Sequence, residues 1–199
     1  MDFKKHLETA WNLTLQNLAI LILMTLVMIV VSVLTLGILA PVLKAGYFQS
    51  ILMMVRNGRQ PVIQDLFSQM NLFLPLFVFS ILAFLAITVG FMLFFLPGIA
   101  VVFAIAFACL YMLPLMTDQK LGLMDALKKS WQMALQPNVA DHVVVVILFI
   151  GLISIGSSVF IGMLLTLPFA TVFILSVYME RTREGNASAP TEFPSTEIK

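Results

Sequence analysis

Apolar residues along this chain fall into three long runs, 18–55, 72–117 and 143–179, which short polar segments separate. A helix of 37 residues, the length of the shortest run, would be about 55 Å long, whereas the hydrocarbon core of a bilayer is about 30 Å thick. Each run must therefore fold back on itself. The pattern predicts an all-α membrane protein with six transmembrane helices, arranged as three helical hairpins.

Turn-forming residues interrupt each apolar run near its middle. Because glycine and proline end or bend helices, we expect the hairpin turns at these positions. The predicted turn residues, in chain order, are Gly37, Pro41, Pro97, Gly98, Gly156 and Gly162.

Amphipathic segments precede the hairpins. Residues 7–17 read LETAWNLTLQN and residues 127–138 read LKKSWQMALQPN, so that Trp11 aligns with Trp131 at an offset of 120 residues. Halfway between them, residues 65–72 read DLFSQMNL. We predict that each segment forms an interfacial helix, with Trp11 and Trp131 as anchors at the headgroup boundary. Such helices could form a structural cuff around the bundle, or they could sense the membrane surface or dock a partner.

This spacing indicates a period near 60 residues, and the alternative is chance similarity among apolar runs. Two spans per copy is an even number, so the copies would be parallel and related by an axis along the membrane normal. The copies would cover about 3–60, 61–120 and 121–182, within one membrane domain of residues 1–183. Residues 184–199 are rich in Pro, Ser, Thr and Glu, which predicts a disordered cytoplasmic tail.

Composition and charge support a membrane protein. Hydrophobic residues make up 61% of the chain and charged residues 11%, against about 25% charged residues in soluble domains. A net charge of +1 without a basic patch argues against a nucleic-acid partner. Basic residues flank the open ends of the hairpins, which places both termini in the cytoplasm under the positive-inside rule. They are Lys4, Lys5, Arg56, Arg59, Lys120, Lys128, Lys129, Arg181 and Arg183.

Lys44 is the one charged residue inside the apolar runs. An ionisable residue within a membrane is by default a functional hypothesis, so Lys44 is a candidate contact for a lipid headgroup or an anionic substrate. Gln49 and Ser50 could line the same groove. The alternative is that the lysine stem snorkels to the nearby interface.

Residues for catalysis or for binding a metal or cofactor are not apparent. Asp141 and His142 are adjacent at the start of the fifth span, where an interfacial pair is expected and a proton relay is the alternative. A metal site would need more ligands than these two. Cys109 is the single cysteine and is expected to be a small buried hydrophobe. No enzymatic activity and no cofactor are therefore predicted.

Several short motifs resemble a known group of proteins. They are LPGI at 96–99, D-x-x-x-G at 118–122, MDALKKSW at 124–131, APVLKAGYF at 40–48 and RNGRQPVIQDLF at 56–67. The chain resembles the YciC-like bacterial inner-membrane proteins and the membrane domain fused to some glycerophosphodiester phosphodiesterases. This resemblance implies a bacterial cytoplasmic-membrane protein of about six helices. It transfers no activity, because the phosphodiesterase chemistry belongs to a separate soluble domain.

The sequence thus predicts a non-catalytic protein of the bacterial cytoplasmic membrane that binds membrane lipids or organises an envelope partner. A homo-oligomer and a membrane-protein partner both remain open. The alternative function is a transporter or channel for ions or small anions, with a polar groove near Lys44.

Overall fold

The computed structural model of this protein describes residues 3–135, 139–157 and 160–187, and within these ranges the chain is helical and contains no β-strand. The all-α prediction is therefore confirmed. The described elements are α1 (Phe3–Gln16), α2 (Leu18–Leu34), α3 (Ala40–Asn57), two short 3₁₀ helices (Ile63–Phe67 and Met70–Leu72), α4 (Phe73–Leu93), α5 (Phe95–Cys109), α6 (Met112–Asp118), α7 (Leu123–Leu135), α8 (Val139–Ser157) and α9 (Phe160–Ala187).

Consecutive helices pack against each other as α2 with α3, α4 with α5, and α8 with α9. Between α2 and α3 the chain turns at Gly37, whose φ of 82° lies in the left-handed region that glycine adopts without strain. Pro41 lies in the first turn of α3, where its missing N–H removes no helical hydrogen bond. The chain therefore turns at Gly37, whereas Pro41 already belongs to α3.

The second turn lies three residues earlier than predicted. Helix α4 ends at Leu93 and Phe94 is extended, so that Pro97 and Gly98 belong to the first turn of α5. Proline is favourable there because its fixed φ suits a helix start. Gly98 serves packing instead of turning, since a Cβ at this position would lie 2.5 Å from the ring of Phe91.

The third turn includes residues 158 and 159, which lie outside the described ranges. Gly156 belongs to the last turn of α8, and Gly162 belongs to the first turn of α9. A Cβ on Gly156 would collide with the side chain of Thr166, and a Cβ on Gly162 would lie 2.9 Å from the carbonyl oxygen of Gly156. Both glycines therefore allow close approach of α8 and α9, as small residues do between membrane helices.

Three stretches of the described chain are long and apolar enough to cross a membrane. They are Ile63–Leu93, Phe95–Asp118 and Gly162–Arg183, and the number rises to five if each of two sharply bent helix pairs counts as one span. The helix α3, which contains Lys44 and Arg56, is not among them. The chain thus has three to five candidate membrane spans, which is typical of a membrane protein.

The amphipathic segments differ from one another in structure. Helix α1 meets α2 at 86° and α7 meets α8 at 111°, so both lie crosswise to the helix that follows. The middle segment forms the two 3₁₀ helices and not the predicted α-helix. It folds back onto α3, where Gly46 leaves room for the carbonyl of Leu66 and Asp65 accepts a 2.7 Å hydrogen bond from Ser50. These contacts fix the 3₁₀ segment against α3.

The core lies where α3, α6 and α9 pack together, and its largest fully buried side chains include Tyr47, Tyr111, Phe173 and Tyr178. Helix α4 lies at the outside, since only 6% of the most apolar stretch of its span is buried. The predicted tail begins inside a helix, because α9 continues to Ala187. The remainder of that tail, residues 188–199, lies outside the described residues.

Candidate functional site

A cavity of about 650 Å³ lies between α2, α3, α5, α8 and α9. This volume lies within the range of about 300–1,000 Å³ that small-molecule sites occupy. Most of its lining is apolar, and polar or ionisable side chains reach it at a few places. These are Ser32, Lys44, Tyr47, Cys109, Ser154 and Thr171.

Lys44 is the residue with a formal charge among the described residues of the lining. Lys44 is an exposed residue that forms part of the cavity wall. None of the hydrogen bonds or ion pairs among the described residues involves the Lys44 ammonium group. A charge in apolar surroundings is costly unless it is paired, so this site favours an anionic group beside Lys44.

The position of Lys44 along α3 shows at which end of the cavity the charge lies. Lys44 follows Ala40, the first residue of α3, by four residues, and it precedes Arg56 by twelve, which is about 18 Å of helix. Ser32 lies near the end of α2, and Ser154 lies near the end of α8. Lys44, Ser32 and Ser154 therefore lie towards the hairpin turns, whereas Tyr47, Cys109 and Thr171 lie deeper in the lining.

The two other residues predicted beside Lys44 do not belong to the cavity lining. Ser50 is buried and donates its hydrogen bond to Asp65, which also accepts a 2.9 Å hydrogen bond from Arg59. Gln49 has a buried side-chain oxygen without a hydrogen-bond partner among the described residues. The helical period explains the outcome, because Gln49 and Ser50 point away from the face of α3 that carries Lys44 and Phe48.

A polar cluster joins the ends of α3 and α6 to Tyr178 in the second half of α9. The guanidinium of Arg56 donates two hydrogen bonds of 2.6 and 2.7 Å to the carboxylate of Asp118. Tyr178 donates a further hydrogen bond of 3.1 Å to Asp118. The hydrogen bond to Asp118 raises the pKa of the Arg56 guanidinium, so this residue stays charged. Helices α3, α6 and α9 therefore end at the same side of the bundle.

The cluster also reaches α7. Gln119 donates a 3.2 Å hydrogen bond to the Tyr178 hydroxyl, and Lys129 donates one of 2.6 Å to the side-chain oxygen of Gln119. Helix α1 is attached to the same end of α9, since His6 shares a 2.6 Å hydrogen bond with Ser176. The amphipathic helices α1 and α7 are thus held at the side of the bundle where α3, α6 and α9 end.

The two tryptophans predicted as interfacial anchors each pack edge-to-face on a phenylalanine of a hairpin. Trp11 lies 6.0 Å from Phe169 of α9, and Trp131 lies 5.5 Å from Phe107 of α5, measured between ring centroids. Both remain partly exposed, at 57% for Trp11 and 46% for Trp131. This combination of ring packing and exposure is typical of tryptophan at an apolar–polar boundary.

Asp141 and His142, at the start of α8, differ in how deeply they are buried. His142 is fully buried, with its Nε2 3.1 Å from the carbonyl oxygen of Phe107 and its ring packed against Phe107 and Tyr111. Asp141 is only half-buried. Among the described residues, no three His, Cys, Asp or Glu side chains are placed to bind a metal ion. His142 therefore has a packing role that its expected interfacial position did not suggest.

Sequence reasoning missed the cavity and the polar cluster, although a regular spacing of 62 residues along the chain links the residues of each. Arg56 and Asp118 are 62 residues apart, and the same spacing separates Tyr47, Cys109 and Thr171, which all line the cavity. Comparing the second helices of the hairpins at this spacing would have grouped these residues.

A scan against protein-family models, a search of curated proteins and a search of solved structures return no match to this chain. The resemblance to the YciC-like proteins therefore stays a prediction.

Proposed function

We propose that this chain is a non-catalytic integral membrane protein that binds a membrane lipid in the cavity between its hairpins. The observation that carries the proposal is the cavity of about 650 Å³ with Lys44 as its charged residue. An apolar wall suits an acyl chain, and an ammonium group without a partner suits an anionic headgroup. Lipid binding satisfies both requirements at once.

We further propose that the protein has six spans arranged as three parallel copies of one unit. The packing of the segment that precedes each hairpin supports this arrangement. Helix α1 packs on α9, the 3₁₀ segment packs on α3, and α7 packs on α5 and α6. Each preceding segment thus contacts the second half of the hairpin before it, with α1 closing the ring onto the third.

Equivalent residues occupy equivalent places in this ring. Trp11 and Trp131 are 120 residues apart, and their partners Phe169 and Phe107 are 62 residues apart. Tyr47, Cys109 and Thr171 meet at one cavity, as expected if the cavity surrounds the axis that relates the copies. These matching contacts support the repeat over the alternative of chance similarity among apolar runs.

The bacterial cytoplasmic membrane is the proposed location, with both termini in the cytoplasm. The support is that Arg56 and Lys129 belong to the polar cluster at the side of the bundle where α1 and α7 lie. A membrane protein retains such basic residues on its cytoplasmic side. Lys44 would then lie closer to the outer face of the membrane.

Native mass spectrometry of the protein released from a near-native membrane tests lipid binding. We expect a defined anionic lipid to remain bound to the wild type and to be lost from Lys44→Ala. Lys4→Ala is the matched control, because the side chain of Lys4 is 86% exposed and lies outside the cavity. Equal lipid retention in all three proteins would overturn the role of Lys44, and a wild type without bound lipid would overturn the proposed function.

A transporter of ions or small anions is the second candidate. It is favoured by the position of Lys44, whose ammonium group could attract an anion into the cavity. Against it, the side chains of Tyr111 and Tyr178, which follow the lining residues Leu110 and Ile174 along the chain, are fully buried in the core. Anion flux into proteoliposomes that Lys44→Ala abolishes would favour transport, and absence of flux would leave lipid binding.

A further inference from the structure

The volume of the cavity is close to that of one acyl chain. If each water-sized group takes about 30 Å³, a cavity of about 650 Å³ holds about twenty of them. About twenty non-hydrogen atoms are close to one long acyl chain with a small head and about half of a phospholipid with two such chains, so the cavity favours a single-chain ligand. This inference rests on the proposed lipid-binding function and narrows its ligand.

The distribution of polar groups gives the ligand an orientation. Ser32 and Lys44 lie near the hairpin turns, whereas Leu113 and Ile174 form apolar lining deeper in the bundle. Along α9 the lining extends from Met163 to Ile174, which is about 16 Å of helix. A cavity of this length, with its charge near one end, fits an elongated amphiphile.

Apolar side chains along the deeper part of the cavity exclude a second charged group on the ligand. Leu110, Leu113 and Ile174 offer neither a donor nor a charge to a polar tail, and burial of an unpaired polar group is costly. A small inorganic anion would satisfy Lys44 but would leave this apolar lining without a partner. The ligand must therefore combine one anionic end with one apolar end.

We propose that the cavity binds a single-chain anionic amphiphile, with its carboxylate or phosphate head at Lys44 and its acyl chain running past Cys109 towards Ile174. A fatty acid and a lysophospholipid share this chemistry. Binding would pair the lysine charge and fill the apolar volume together. A ligand with either feature alone would bind more weakly.

Protection of Cys109 from alkylation tests this proposal, because Cys109 is the single cysteine of the chain and lines the cavity. The full-length protein in nanodiscs is treated with N-ethylmaleimide, and labelling is followed by mass spectrometry. Palmitate, 1-palmitoyl lysophosphatidate, dipalmitoyl phosphatidate, octanoate and inorganic phosphate are added in turn. At ten times the Kd of a ligand, we expect the labelling rate to fall about tenfold.

The expected result is protection by palmitate, by lysophosphatidate or by both, with little protection by the two-chain lipid, by octanoate or by phosphate. Protection by only one of the two single-chain ligands would identify the head. Lys44→Ala should lose the protection and Lys44→Arg should keep it. Equal protection by the two-chain lipid or by octanoate would overturn the inference.

A cysteine on the lipid-facing side of the same helix controls for access through the bilayer. In a Cys109→Ser background, Val102→Cys places the thiol where the native side chain is 37% exposed and outside the cavity lining. No ligand should protect this thiol. If no single-chain ligand protects Cys109 while native mass spectrometry retains a Lys44-dependent lipid, the inference fails and the proposed function stands. If no ligand protects Cys109 and native mass spectrometry shows no Lys44-dependent lipid, both the inference and the proposed function fail.

Discussion

Arg56 and Asp118 face each other across the ends of α3 and α6, with two hydrogen bonds of 2.6 and 2.7 Å between guanidinium and carboxylate. The Asp118 side chain is 13% exposed, whereas the Arg56 side chain is 40% exposed. A paired, two-point contact of this type fixes direction as well as distance. It joins the first hairpin to the second at a spacing of 62 residues.

Replacing Arg56 with alanine should lower the free energy of unfolding by about 1–2 kcal/mol, because Asp118 would keep its charge without its main partner. Thermal unfolding in detergent measures the effect as a lower Tm. Arg183→Ala is the control, since Arg183 is exposed at the end of α9. The reversed pair Arg56→Asp with Asp118→Arg should be more stable than either single change, and an unchanged Tm for Arg56→Ala would contradict the role of the pair.

Gly46→Ala should be strongly destabilising. A Cβ at this position would overlap the carbonyl of Leu66 and lie 2.5 Å from the carbonyl of Asp65, and neither backbone atom can rotate away. Overpacking of this kind costs about 1–3 kcal/mol. Gly151→Ala is the matched control, because it too lies in a helix and a Cβ there meets no atom within 4 Å. Similar Tm values for the two variants would show that the 3₁₀ segment does not pack on α3.

The contacts Trp11–Phe169 and Trp131–Phe107 should contribute similar coupling energies if they are equivalent in the repeat. Double-mutant cycles to alanine, measured by equilibrium unfolding in mixed micelles, give each coupling directly. We expect about 0.5–1 kcal/mol for each, in the lower part of the range for edge-to-face pairs because both tryptophans are half exposed. Coupling in one pair and none in the other would argue against equivalence.

The proposed six spans would place the hairpin turns and the amphipathic helices on opposite sides of the membrane. In a Cys109→Ser background, Leu36→Cys introduces a thiol at a turn residue that is 90% exposed, and Met124→Cys introduces one in α7 at a residue that is 62% exposed. In intact cells, a membrane-impermeant thiol reagent should label the first variant and not the second. Labelling of both from the same side would contradict six spans.

Much of the secondary structure could be predicted from the sequence because it depends on local properties. The apolar runs and Gly37 lead directly to helices and to the first turn. The second turn was predicted three residues too late. Pro97 suits a helix start as well as a turn, and the apolar pattern does not distinguish the two. The prediction of an α-helix for the middle amphipathic segment was wrong. This segment contacts Gly46 and Ser50, which are distant in sequence, and a local pattern does not reveal such contacts.

The candidate site was predicted less completely. Lys44 was singled out because a charge in an apolar run is unusual whatever surrounds it. Gln49 and Ser50 were grouped with it by proximity in sequence, but the helical period directs them to other neighbours. Cys109 and Thr171 were missed, because a single cysteine or threonine in an apolar helix gives no local sign that it lines a cavity.

By itself, the sequence determined an all-helical membrane protein, since long apolar runs must satisfy their backbone hydrogen bonds internally in lipid. Only the tertiary structure decided which helices surround a cavity and which polar groups meet at its far end. The packing of the hairpins brings Arg56 into hydrogen-bond contact with Asp118, and it places Tyr47, Cys109 and Thr171 in the lining of one cavity. Such contacts depend on the packing angles and registers of several helices at once, which no local pattern of residues specifies.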